Sequence, residues 1–241
     1  AAGAALHRRA GLRYSPGPVT PATAPRWSPW LWDDVADALA AGLARASDDV
    51  EREQAVRGLD ARGELALHPL LHDALRAAGF GVAAEVRFPR ERPKRRRTEG
   101  ARCDMVLTPG GLPLADPGAQ LGLFAPADAV PLDDAAWLEV KVVAQFHEQG
   151  PNRAYATALQ HPVWKDVEKL ASDPEIRRAA VLLVLFTADA AAAAHDLGVW
   201  SARASLRGLS LLPDVRRTLA VGDRLGNRVC TVAVLPLARP D

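Results

Sequence analysis

The chain has 241 residues, 49% of them hydrophobic and 24% charged, and a formal net charge of +1. That composition supplies a buried core and excludes disorder throughout, while no apolar stretch reaches the roughly 20 residues that cross a bilayer. Two cysteines, Cys103 and Cys230, exclude a disulfide framework and a four-thiolate metal site, and each lies in an apolar run where a thiol packs as a small hydrophobe.

Residues 1–32 are rich in Pro, Ala and Arg, and Pro16, Pro18, Pro21, Pro25 and Pro29 oppose regular structure, so this stretch reads as an arm. Trp27, Trp30 and Trp32 would anchor the arm on the body or a partner, or stack on bases, packing being the commoner use. No basic-then-apolar leader opens the chain, so the expected location is cytoplasmic.

Helical periodicity follows over 33–58, marked by Val35, Leu39, Leu43, Val50 and Val56, and Ser47-Asp48-Asp49 predicts a break that makes two helices. A further helix spans about 60–78, with Leu65, Leu67, Leu71 and Leu75, and ends at Gly79; Pro69 should kink it or open its main part. The pattern then turns to strands, 82–88 and 102–107, joined by a charged loop and closed by Pro109-Gly110-Gly111 as a long-tipped hairpin. Residues 110–135 read as an irregular insertion before a strand at 137–143. A helix within 151–171 carries Leu159, Val163, Val167 and Leu170 around Pro162, and 179–187 suits a strand buried on both faces. Residues 188–197 read as helix, 199–220 stay ambiguous, and 228–236 form a last strand at an edge. The sum is a mixed sheet flanked by helices, with extra N-terminal helices, and 33–241 is taken as a single α/β domain.

Chemistry concentrates in Trp137-Leu-Glu-Val-Lys-Val-Val143. Strand alternation projects Glu139 and Lys141 to one face and Leu138, Val140 and Val142 to the other. A carboxylate and an ammonium on a core-like strand need a partner, water or a metal. With Asp104 in a second apolar run, the expected answer is a divalent-metal site, against an ordinary Glu–Lys pair on a wet face. Hard oxygens of Asp104 and Glu139 would suit Mg²⁺ or Mn²⁺. The run Arg90-Glu-Arg-Pro-Lys-Arg-Arg-Arg97 packs six cations against one anion, and its Lys94, Arg95, Arg96 and Arg97 would guide a nucleic-acid backbone unless the loop is merely solvated. Lys165 and Lys169 would touch DNA phosphates too, or form a wet helix face with Asp166 and Glu168. Glu85 shares a face with Arg87 as a ligand or cross-strand partner. His68 and His72 have zinc-pair spacing, but no third ligand is visible and Pro69 intervenes, so zinc is not expected. His147 and His161 read as surface or capping residues. No serine elbow, phosphate loop or dinucleotide fingerprint occurs.

Asp104 within Gly100-Ala-Arg-Cys-Asp-Met-Val-Leu107, the Glu139-Val140-Lys141 triplet and the order helix, three strands, helix, strand over about 60–187 resemble the PD-(D/E)xK nuclease superfamily. Cys103 stands where the pattern is usually written with proline. The resemblance implies a restriction-endonuclease-like αβββαβ core and Mg²⁺- or Mn²⁺-dependent hydrolysis of phosphodiester bonds in DNA, with Asp104 and Glu139 holding the metal and Lys141 assisting the attacking water and neutralising charge that develops on the phosphate. It also implies a metal-site glutamate on the first core helix, which Glu64 matches best, with Glu85 as the alternative. Gln160 and Trp164, four apart, look like the Q-x-x-x-Y element of RecB-type nucleases with tryptophan for tyrosine; two cysteines exclude the iron–sulfur version of that branch. The rival expectation is a non-catalytic nucleic-acid-binding or assembly module that keeps the nuclease fold, its aromatic arm docking on a protein partner or in a homodimer. A nuclease directed at RNA is the third.

Overall fold

The structure, a computed structural model, describes residues 31–91, 100–115 and 128–239. The arm through Trp30, with Trp27, lies outside the described residues, as do Lys94, Arg95, Arg96 and Arg97 of the basic run and positions 116–127 of the insertion.

Helices α1 (Leu31–Arg52) and α2 (Glu64–Ala77) precede strands β1 (Gly81–Arg87), β2 (Arg102–Thr108) and β3 (Ala136–Ala144). A short hairpin of β4 (Phe146–His147) and β5 (Gly150–Pro151) leads into α3 (Tyr155–Ala171). Then come β6 (Arg178–Thr187), α4 (Ala190–Leu206), β7 (Val215–Ala220) and β8 (Val229–Pro236). Six strands form one mixed sheet in the order β1-β2-β3-β6-β8-β7, antiparallel except for β3 and β6, which run parallel through the α3 crossover.

Alternation along the strands divides the core in two. Trp137, Val143, Val181, Leu183 and Leu185 pack under α3 and α4 with Val163, Val167, Leu170 and Trp200. Leu138, Val140, Leu182, Val184 and Val232 pack under α1 and α2 with Leu39, Leu43, Leu67, Leu71 and Leu75. Burying each such side chain contributes roughly 1.5–3 kcal/mol, which is why β6, apolar on both faces, sits in the middle. Among the described residues no helix is long and apolar enough to cross a membrane.

Four expectations need correction. The predicted break at Ser47 is absent: Ser47 is buried in line with Leu43 and Val50, so a small side chain continues the stripe and α1 is one helix, while Val56 lies exposed beyond its end. Pro69 and Pro162 do not open the main parts of their helices: both lie inside α2 and α3, each of which packs apolar residues on the sheet from both sides of its proline, although Leu65 is exposed. Helix α4 runs on to Leu206, carried by buried Trp200 and Ala204. The last strand is no edge: β8 lies between β6 and β7, and β7, from the ambiguous stretch, covers it. Arg217 of β7 ties that strand to α1 through Asp33 (2.9 Å) and Asp37 (2.5 Å).

Candidate active site

The β2–β3 ladder pairs Leu107 with Ala136, Val106 with Trp137 and Met105 with Leu138, and stops there. Beyond Leu138, β3 stays paired with β6 but opens toward β2, and its backbone N–H groups on that side need acceptors. Carboxylates provide them. Val140 N–H donates to Asp104 Oδ2 at 2.7 Å, and Val142 N–H donates to Glu64 Oε2 at 3.4 Å. The parting of two strands thus draws two acids to one place. Opposite Asp104 the β1–β2 register skips Glu85, which adopts a left-handed φ of 53°. Glu85 is exposed and outside the cluster, so of the two expected additional acids the structure brings Glu64 to the site.

Glu64 opens α2 and reaches Lys141, whose Nζ is 3.3 Å from Glu64 Oε1 and donates to Val140 O at 2.8 Å. One turn on, His68 shares the helix face of Glu64. Ligand-capable atoms of Glu64, His68 and Asp104 lie within 4.8 Å of one another. His68 is 8% exposed and its Nε2 has no hydrogen-bond partner. A buried orphan nitrogen among acids asks for a ligand.

From the other side α3 contributes Asp166 and Lys169, and neither behaves as a wet helix face. Asp166 is buried, 3.1 Å from Lys141 Nζ. Lys169 Nζ donates to Glu139 Oε1 at 2.7 Å and to Arg102 O at 2.8 Å, and lies 4.9 Å from the Phe88 ring centroid. Glu139 and Lys141 share a face of β3, yet their partners differ: Lys141 pairs with Glu64 and Asp166, Glu139 with Lys169.

Burial, reinforced by the charge of Asp104 and opposed by the Lys169 hydrogen bond, pushes the Glu139 carboxyl up to about 8. Burial alone would lower Lys141, but the charges of Asp166 and Glu64 override it and hold the amine above its ordinary value. Burial raises Asp166, which Lys141 only partly counters. On the second histidine, His72, burial and Arg76 push the imidazole down. With Glu139 protonated, three carboxylates face two ammonium groups for a formal charge of −1, and its ionisation makes the cluster −2, the charge one divalent cation cancels.

Gln160 is half-buried on α3, outside the hydrogen bonds of the cluster, and Lys165 is exposed on the same helix. Trp164 is buried between an edge-on His161 (5.5 Å) and the Arg207 guanidinium (4.4 Å), a packing contact of α3 with α4. Sequence reasoning read Asp166 only as part of a wet helix face, assigned Lys169 to DNA phosphates or that same face, and set His68 aside. Asp166 stands three after Val163 and four before Leu170, inside the apolar stripe, and that position was the available signal. His68 was passed over because no third ligand was visible in the sequence and Pro69 was expected to interrupt its turn, whereas the fold supplies Glu64 and Asp104 beside it. No known protein family matches the chain, and no curated protein or solved structure is significantly similar to it.

Proposed function

We propose that the protein is a divalent-metal-dependent phosphodiesterase acting on DNA, built on a restriction-endonuclease-like core. The observation that carries the reading is the convergence of Glu64, His68, Asp104 and Lys141 where β2 and β3 part. The order α2-β1-β2-β3-α3-β6, with β3 and β6 parallel, supports it as the PD-(D/E)xK arrangement.

The residues fit a divalent cation: two carboxylates and an imidazole within 4.8 Å, an unpartnered His68 nitrogen and an excess of negative charge. Glu64, His68 and Asp104 would hold it, with Glu139 beside them. When bound, Mg²⁺ or Mn²⁺ would supply Lewis-acid polarisation of the phosphate and a more acidic attacking water. Lys141, kept charged by Asp166 and Glu64, offers an ammonium to the negative charge that grows on the phosphate oxygens, and as a protonated amine it serves as electrostatic stabiliser rather than base. The Val140 and Val142 amides fix Asp104 and Glu64. In the sequence Lys94, Arg95, Arg96 and Arg97 come between β1 and β2, and Asp104 is among the first residues of β2.

The test is digestion of labelled single-stranded DNA, double-stranded DNA and RNA with Mg²⁺ or Mn²⁺. Cleavage of DNA should disappear with a chelator and fall about 100-fold or more in Lys141→Ala at unchanged DNA binding and circular dichroism. Full cleavage by Lys141→Ala would remove that role. Binding without metal-dependent cleavage of any substrate favours the non-catalytic module.

A further inference from the structure

We propose that Lys169 is the resident counter-ion of Glu139 and competes with the divalent cation for that carboxylate, an inference that rests on reading the cluster as a metal site. Glu139 is 2% exposed, between the fully buried apolar residues Ala136, Trp137 and Leu138 on one side and Val140 on the other. An ionised carboxylate there is tolerated only with a cation against it. Lys169 supplies one at 2.7 Å, reaching from α3 across the layer. The neighbouring Asp104 charge makes the need sharper, since two carboxylates repel in a low-dielectric pocket.

Lys169 differs from Lys141 in a way that suits exchange. Lys141 is held between two acids, Glu64 and Asp166. Among the described residues Lys169 forms an ion pair with one acid, Glu139, while the charge of Asp166 acts on it from farther off; it also meets a carbonyl oxygen and an aromatic ring, and 28% of its side chain is exposed to water on a flexible stem. It can leave at little cost once another positive charge takes over Glu139. Two cations that neutralise the same carboxylate are linked: each weakens the other, and deleting one strengthens binding of its rival. On this account Lys169 keeps the site from carrying an uncompensated Glu139 in the absence of metal, and it tunes how much metal is needed to fill it.

The experiment is calorimetric titration of the full chain with Mn²⁺ alone, without nucleic acid, at a pH above about 8 so that Glu139 is ionised before metal is added. Lys169→Met should bind Mn²⁺ about tenfold more tightly than wild type, Lys169→Arg should restore wild-type affinity, and thermal melts without metal identify any variant that fails to fold. The gain from Lys169→Met should vanish when Glu139→Gln is also present. Equal affinities in wild type and Lys169→Met, or a gain that persists beside Glu139→Gln, overturn the proposal and leave Lys169 a structural ion pair. Absence of Mn²⁺ binding in wild type and both Lys169 variants overturns it together with the metal reading. The expected affinities without cleavage of any nucleic acid uphold the counter-ion and sink the nuclease.

Discussion

His68 gives the cluster a borderline nitrogen donor beside the hard oxygens of Glu64 and Asp104. Mg²⁺ prefers an all-oxygen environment, whereas Mn²⁺ accepts imidazole more readily, so on the proposed reading this donor set would discriminate between the two metals. At equal subsaturating concentrations Mn²⁺ should support cleavage faster than Mg²⁺ by about tenfold, and His68→Asn should erase the difference by weakening Mn²⁺ most. Metal titrations of the initial rate for both proteins measure this; an unchanged Mn²⁺ preference in His68→Asn would exclude the imidazole from the donor set. Glu139, Lys141 and Asp104 were legible in the sequence because strand alternation places charged residues against an apolar background. Their partners were not, because ion pairing depends on which helix lies above the strand. Glu139 pairs with Lys169, thirty residues on, and Lys141 with Asp166.

At the scale of elements, the site depends on α2 presenting its first turn to the opened side of β3. Gly42 of α1 makes the close packing of α1 and α2 possible: a Cβ there would fall 2.3 Å from Ala74 Cβ on α2. Gly42→Leu should push the helices apart at a cost of roughly 2 kcal/mol or more, lowering the melting temperature by about 4–8 °C in a chain of this size. Differential scanning calorimetry reads the shift; a melting temperature at or above wild type would mean that the two helices are not tightly packed there. The same scale shows where sequence patterns were insufficient. Ser47 passed for a cap because Ser and Asp start helices, yet its burial against the sheet overrode that local preference. Strand β7 stayed hidden since Val215-Arg-Arg-Thr-Leu-Ala220 lacks the apolar run of a central strand, and its pairing with β8 and its Asp33 and Asp37 contacts lie far along the chain.

Over the whole molecule, the two core layers share one sheet, so a single cooperative unit is expected where the sequence pointed to one domain over 33–241. The two cysteines report on opposite layers. Cys103 of β2 belongs to the layer under α3 and α4, and Cys230 of β8 to the layer under α1 and α2. Both thiols are fully buried and burial pushes both up, so neither reacts as a thiolate in the native fold. Labelling then requires opening of the layer that covers each. In single-cysteine variants, Cys103→Ala and Cys230→Ala, the remaining thiol should react with an aromatic disulfide reagent at rates giving the same opening free energy and the same dependence on urea. Because β3 and β6 contribute side chains to both layers, neither face can be stripped without exposing apolar surface on the strands that serve the other. Opening free energies that differ by more than about 1 kcal/mol would show layers that unfold separately, and the candidate site, which draws Glu64 and His68 from one layer and Asp166 and Lys169 from the other, would then lose its shape before the chain unfolds.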